Sequence, residues 1–319
     1  RYFSLYRSDV TNAGDVYFIG KKTPERNKGE RWVWGQSNEE FIVYRLSGKD
    51  DRVFEIDLGL DRVFVTNMGM ELDFGNNTMA VAGFYSEQGY NQASMKGMFY
   101  TTLDQAEATV ISTHLTPFSP EFLDEFMSTG RATRGAEIRE DFVFRHFLHR
   151  PDGGAFVVAE DYEMQVVTTQ TRNGTVTNYY YYYYDIIAFG ISDKGQIEWS
   201  GHVPKRQFSK NDGGRASGYL PLVDGKQLHL IFNDHKANSK RFGIRRPVVM
   251  RNARTSNVVA VTITPEAEML YTVLYNNSKD RVQTLPRRSA SSELVQGEAV
   301  FYSFRKNKVQ FGSLQRVNP

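Results

Sequence analysis

Short apolar strands joined by polar turns recur along the whole chain, and this recurrence limits the possible folds more than any other feature of the sequence. Four segments align: "FIVYRLSGKDDRVFEIDL" from Phe41, "GMFYTTLDQAEATVISTHL" from Gly97, "DIIAFGISDKGQIEWSGHV" from Asp185 and "VVAVTITPEAEMLYTVLY" from Val258. Each reads strand, turn, strand, with Gly48-Lys49-Asp50, Asp104-Gln105, Asp193-Lys194-Gly195 and Pro265-Glu266 at the turns, all residue types that tolerate tight reversals. A second set comes before or between these: "NAGDVYFIGKK" from Asn12, "FGNNTMAVAGFYSEQ" from Phe74, "RPDGGAFVVAEDYE" from Arg150, "LVDGKQLHLIFNDHK" from Leu222 and "LVQGEAVFYSFRKNK" from Leu294.

Two hairpins per unit make a four-stranded antiparallel module. With Asp15, Thr78, Ala155, Leu228 and Glu298 as marks, the module recurs roughly every 70 residues, longer than common blade repeats, so the excess belongs in loops. Tandem modules of this kind predict an all-β fold, a β-propeller built from four-stranded antiparallel blades, because radial repetition shields most strand edges. The expected organisation is one propeller domain over 1–319, with units at roughly 1–66, 67–137, 138–214, 215–286 and 287–319. The last unit is short, which fits either a reduced final blade or an incomplete ring. A pair of packed sheets is the structural alternative. One segment breaks the pattern: in "FSPEFLDEFMSTG", Ser119 is a natural N-cap, Pro120 suits the first helical position, and Phe122, Leu123, Phe126 and Met127 share a face. A short helix near 119–128 is expected there.

Composition excludes several chemistries. Cysteine is absent from the 319 residues, which removes thiol catalysis and cysteine-ligated metals. Thirty-nine basic against 37 acidic residues give a net charge of +2, so the global balance offers nothing to nucleic acid. No run of 18 apolar residues occurs, hence no membrane-spanning helix is expected. Arg1 instead of Met stands first, compatible with a cleaved signal or with a piece of a longer chain. No G-x-S-x-G, Walker A or G-x-G-x-x-G motif is found.

Six consecutive tyrosines, Tyr179 to Tyr184, precede "DIIAF". In a strand alternate rings face opposite ways, so Tyr179, Tyr181 and Tyr183 form one set and Tyr180, Tyr182 and Tyr184 the other. One reading is a hairpin projecting from its blade with one ring face packed on a neighbour. The other is a stacking platform for a sugar or protein, for which Tyr179, Tyr181 and Tyr183 are the chosen candidates.

Aligned on their apolar runs, successive units place Glu160-Asp161 and Asn233-Asp234 at equivalent strand ends. Such oxygens suit Ca²⁺ if they converge, and Glu160, Asp161 and Asp234 are the candidate carboxylates for hydrolysis. The competing reading is that they bond turns or pair with nearby Lys and Arg; no cofactor is otherwise expected, since no linear metal motif occurs. His146 and His149 are three apart in a β context, so they face opposite sides and make a poor zinc pair. Between His235 and Pro265 stand Lys236, Lys240, Arg241, Arg245, Arg246, Arg251 and Arg254 with no acid. This run is either a solvated loop or a contact for an anionic partner, with Arg241, Arg245 and Arg246 as its binding candidates.

The stretch from "FSPEFLDEFM" through "EDFVFRHFLHRPDGGAFVVAEDYE" to "YYYYYYDIIAFGISDKGQIEWSGHVPKRQ" and "LPLVDGKQLHLIFNDHKAN" resembles a group of uncharacterised envelope-associated proteins of Bacteroidota, over about residues 117–238. The resemblance implies an exported protein with propeller-like repeats, periplasmic, outer-membrane-associated or extracellular, and brings no catalytic residue. The "DKGQIEW" turn is similar in outline to the Asp-box hairpin of sialidase-type propellers but departs in its leading residues and its Asp-to-Trp spacing. Asp193 and Gly195 are therefore expected as turn formers and Trp199 as core. The expected function is non-enzymatic binding of an envelope protein or a glycan, in an oligomeric state left open. The alternatives are a polysaccharide hydrolase or lyase with carboxylates at the propeller mouth, and a structural subunit of an outer-membrane complex.

Overall fold

The computed structural model describes residues 3–22, 40–60, 63–73, 75–87, 94–134, 136–139, 141–172, 174–244, 246–291 and 297–314. The chain is all-β and of propeller type, with antiparallel meander sheets following one another along the sequence. By contact density it divides into two compact units, Arg1–Phe147 with Ile191–Glu198, and Leu148–Gly190 with Trp199–Pro319.

The first unit holds two four-stranded sheets. In one, β1 (Phe3–Val10), β2 (Val16–Lys22), β3 (Glu40–Leu46) and β4 (Val53–Ile56) pair in chain order. In the other, β5 (Phe64–Asp73) and β6 (Thr78–Ser86) pair with β8 (Gly97–Asp104) and β9 (Val110–Pro117), while the short β7 (Ser94–Met95) pairs with β10 (Ile138–Arg139). Tyr17, Ile19, Val43, Met68, Met70, Met79, Val81 and Phe99 interdigitate between these strands and supply the core. The expected helix near 119–128 forms over a shorter span, and a second short helix follows beyond its expected end. α1 (Pro120–Asp124) is capped by the Ser119 hydroxyl, which accepts from Phe122 N at 3.2 Å, and α2 (Thr129–Ala132) follows from an N-cap at Ser128. Phe122, Leu123 and Met127 are buried, so the apolar face is used as its spacing predicts.

The second unit carries most of the three remaining sheets. β11 (Phe142–His149), β12 (Ala155–Thr171), β13 (Gly174–Ile191) and β14 (Ile197–Val203) pair in chain order, and β15 (Gln207–Lys210) also pairs with β13. β16 (Tyr219–Asp224), β17 (Gln227–Asp234), β18 (Asn257–Ile263) and β19 (Met269–Asn276) make a regular four-stranded meander, and β20 (Ala290–Ser291), β21 (Ala299–Arg305) and β22 (Lys308–Leu314) a three-stranded one. Phe156, Val158, Ile186, Ala188, Leu228, Leu230, Val259 and Val261 share one core cluster, into which Trp199 packs as the sequence suggested. The "RPDGG" turn closes through its own side chains: Asp152 accepts from Arg150 Nε at 2.9 Å, and Gly153 takes φ of +84°, a conformation in which a β-carbon is strained.

β12 and β13 are far longer than the other strands because they continue past the body of their sheet. From Glu163 to Thr171 every residue is exposed, as are Gly174 to Thr177 opposite, so the hairpin tip projects into solvent. β14 ends before Pro204, which has no N–H for the ladder. The chain then resumes as β15, so successive segments of β13 are covered by β14 and then β15.

Candidate binding surface

The tyrosine run lies where β15 covers β13. Register pairs Tyr180 with Lys210, Tyr181 with Ser209, Tyr182 with Phe208 and Tyr183 with Gln207. Cross-strand partners share a face, so Tyr183, Lys205 and Gln207 point one way while Tyr180, Tyr182, Tyr184, Arg206, Phe208 and Lys210 point the other.

The first of these faces is interior. Tyr183 is 1% exposed, with its ring 4.8 Å from that of Tyr162, beside the cations of Arg287 at 5.0 Å and Lys205 at 5.9 Å. The ring also leaves no space at Gly214, where a β-carbon would stand 2.6 Å from it and φ is +63°. The expected platform of Tyr179, Tyr181 and Tyr183 is therefore corrected: Tyr179 is 42% exposed at the root of the hairpin, Tyr181 is intermediate, and Tyr183 is core. Strand alternation was right; which face is covered depends on β15, which only the fold reveals.

Beneath Tyr183 lies a polar interior. The Lys205 ammonium, fully buried, stands 3.0 Å from Glu160 Oε1 and donates to Gln207 Oε1 at 3.3 Å. Gln207 accepts from Gly218 N at 2.7 Å and donates to the Asn233 carbonyl at 2.8 Å. Asn233 donates to the carbonyls of Ala216 and Thr284, both at 2.8 Å, and accepts from Asn277 at 2.7 Å. Buried amides thus bond the loop carbonyls of Ala216 and Thr284 and the carbonyl near the end of β17.

The candidate carboxylates belong partly to this interior. Glu160 is 1% exposed and held by Lys205. Asp234, 4% exposed, accepts from His235 N and Tyr271 Oη at 2.8 Å and from Asn238 Nδ2 at 2.7 Å. Burial pushes its carboxyl above the usual range, against the hydrogen bonds and the Lys205 charge that pull it down. Asp161, adjacent to Glu160 in an extended strand, leaves on the opposite face and is part-exposed. Glu160, Asn233 and Asp234 thus reach one interior around Lys205 and Gln207, where they are taken up by lysine and amide groups as the competing reading has it, while Asp161 leaves that interior. Among the described residues no group of three or more His, Asp or Glu is placed to hold a metal ion. His146 sits on β11, where burial and the charges of Arg145 and Arg7 bring its imidazole down to about 4.

The outward face collects rings and cations. Tyr182 stands 5.2 Å from Phe208 and 5.8 Å from Tyr184, and Tyr180 lies 6.3 Å from Phe208. All four rings are partly exposed. Arg206 lies 5.4 Å from the Tyr184 ring, Lys210 5.1 Å from Tyr180 and Arg251 4.8 Å from Phe208, distances suited to cation–π attraction. Arg251 arrives because Met250 pairs with β15: its N–H donates to the Arg206 carbonyl at 2.9 Å and its carbonyl accepts from Phe208 N at 3.0 Å. Burial raises the Tyr184 phenol, offset by the charge and hydrogen bond of Arg206.

The tyrosine strand and the end of the basic run are therefore contiguous. Of the run's chosen candidates, Arg241 and Arg246 are exposed without a carboxylate partner among the described residues, and Arg245 lies outside them. Arg206, Phe208 and Lys210 are not marked by the sequence, because "KRQFSK" buries its polar members Lys205 and Gln207 and turns Phe208 outward.

Two grooves lie in the first unit. One of about 520 Å³ is lined by apolar side chains such as Phe41, Leu58, Leu60 and Met68 together with Glu40, Glu55 and Asp57. Of these carboxylates Glu55 already pairs with Lys22 at 3.4 Å. The other, about 180 Å³, includes Tyr6, whose hydroxyl donates to Asn67 at 3.0 Å.

No protein-family model matches the chain, and no curated protein matches it. Solved structures similar to it include the Pyrococcus horikoshii acylaminoacyl peptidase, at 8% identity and a TM-score of 0.39 over 100% of this chain and 46% of that one. The β-propeller domain of the Trilobed protease from Pyrococcus furiosus aligns at 7% identity and a TM-score of 0.22, over 98% and 93% of the two chains. An exo-β-1,3-galactanase from Phanerochaete chrysosporium aligns at 7% and 0.23, over 98% and 59%. The chain spans about half the length of the first of these. The likenesses concern fold alone; the strand ladders themselves carry the assignment here.

Proposed function

We propose that the chain is a non-catalytic binding protein of the cell envelope, exported, that captures a protein or glycan partner on the Tyr180–Tyr182–Tyr184–Phe208 face. One observation carries the reading: four partly exposed rings and three cations stand together on a sheet face, while Glu160 and Asp234 are spent inside on Lys205, Tyr271 and Asn238. Rings of this kind combine contact area with low rotamer entropy and a polar tip. Export rests on the resemblance to Bacteroidota envelope proteins, and no helix of the described residues is long and apolar enough to cross a membrane.

The test is retention of solubilised envelope material and a glycan array by wild type, by Tyr182→Ala/Phe208→Ala, and by Tyr179→Ala as an exposed control. The double variant loses the captured partner while its melting curve stays near that of wild type. Equal capture by the double variant and wild type removes the surface from consideration.

A further inference from the structure

We infer that the ligand of this face is an acidic polysaccharide, a polymer of sugar rings bearing carboxylates; the inference rests on the binding reading above and narrows it. The face is graded across its width. Thr168 and Thr177 hydroxyls 3.2 Å apart and the Tyr162–Tyr183 ring contact fix the pairing of the long hairpin, which sets Glu163 opposite Tyr182 and Asp161 opposite Tyr184. Acceptors therefore line the β12 side, with Gln165 donating to Glu163 at 2.6 Å. Rings fill the middle on β13, and Arg206, Lys210 and Arg251 line the β15 side. Lys210 and Arg251 are exposed, and no carboxylate among the described residues pairs with either.

A uronate-type sugar has the same order of groups: hydroxyl donors at one edge, an apolar C–H face in the centre, and a carboxylate at another edge. Hydroxyls meet Glu163, the ring covers Tyr182 and Phe208, and the carboxylate meets Arg251 or Lys210. An acidic peptide fits less well. Its charges are repelled by the β12 edge, and it cannot add a strand at Phe208, where β15 is bonded to β13 on one side and to Met250 on the other. A polymer also suits a surface that is a row rather than a pocket, since successive weak contacts act together.

Native affinity electrophoresis decides it, with polygalacturonate, the same polymer after carboxyl reduction, and poly-L-glutamate each cast into gels. Wild type is retarded by polygalacturonate at a concentration about tenfold below that needed for either other polymer, a preference worth about 1.4 kcal/mol, and added salt weakens the retardation. Lys210→Gln/Arg251→Gln loses the preference for the charged polymer, and Tyr182→Ala/Phe208→Ala loses retardation altogether. Equal retardation by poly-L-glutamate means generic polyanion binding and overturns the inference. Equal retardation by the reduced polymer also overturns it, while binding through the rings survives. If the ring variant still captures the envelope partner as wild type does, the binding reading falls with it.

Discussion

Tyr182 and Tyr183 are neighbours in the chain, yet they stand on opposite faces of β13 in surroundings that invert the usual partition of polar and apolar groups. Tyr183 faces inward among Lys205, Gln207, Glu160 and, further in, Asn233 and Asn277. Tyr182 faces outward among rings and cations that water still reaches. The inner face is polar and bonded within the protein through Lys205, Gln207 and Asn233; the outer face is aromatic and partly open. A buried charge must be matched to persist, so the inner groups fix one geometry for the strands and loops that meet there. The outer rings have no such obligation, and that freedom makes them available to a ligand.

The largest difference between the faces is expected at Lys205. Lys205→Met leaves Glu160 buried without its cation and should cost roughly 3–5 kcal/mol. Lys205→Met/Glu160→Leu, which removes both charges, should recover most of that loss, since an apolar pair in place of a buried ion pair is often neutral. Urea unfolding of the three proteins reads both numbers. A single variant within about 1 kcal/mol of wild type would show that water reaches Glu160 and that the interior is not sealed.

Next come the two tyrosines themselves. Tyr183→Ala opens a cavity between Gly214 and Arg287 and should cost about 3–5 kcal/mol, by analogy with other buried aromatic deletions. Tyr182→Ala gives up partly exposed ring contacts worth about 1 kcal/mol. Ligand retention should rank the other way once each variant is measured well below its own melting temperature. If Tyr183→Ala stays folded and loses ligand while Tyr182→Ala retains it, the faces have been assigned in reverse.

How much of this could be read from residues follows from the same inversion. The hairpins were legible because their turns carry Gly, Asp and Asn at the reversals and their strands are apolar, and α1 because Ser119 and Pro120 mark its start. β15 was not legible. Reading alternation assumes that the buried side of a strand is the apolar side; in "KRQFSK" the buried members are Lys205 and Gln207, and the outward ones include Phe208. With β15 unread, nothing distinguished the odd tyrosines from the even. The carboxylates were legible in part. Equivalent strand ends bring Glu160, Asn233 and Asp234 to one interior around Lys205, while Asp161 leaves it because successive residues of a strand face opposite ways. Their neighbours Lys205 and Asn238 come from connections whose path no periodicity specifies.

The smallest effect tests whether Asp234 belongs to the sealed interior. Its carboxyl is raised by burial, so between the ordinary aspartate value, about 3.9, and the raised one, the folded protein keeps a proton that the unfolded chain has released. Stability from this group is therefore present at low pH and falls as pH rises through that window, levelling off above the folded value. Asp15 and Asp152, both lowered, slope the opposite way, so the informative quantity is the difference between wild type and Asp234→Asn. Asparagine keeps the bonds from His235 and Asn238 on its oxygen, and its amide can donate to a turned Tyr271 hydroxyl. The variant should thus gain on wild type as pH rises above about 4, by far less than the Lys205 effect. Chemical denaturation across pH 3.5 to 7 follows the difference. A flat difference means that the carboxyl is solvated in the folded state, and the wall between the polar interior and solvent then runs on the other side of Asp234.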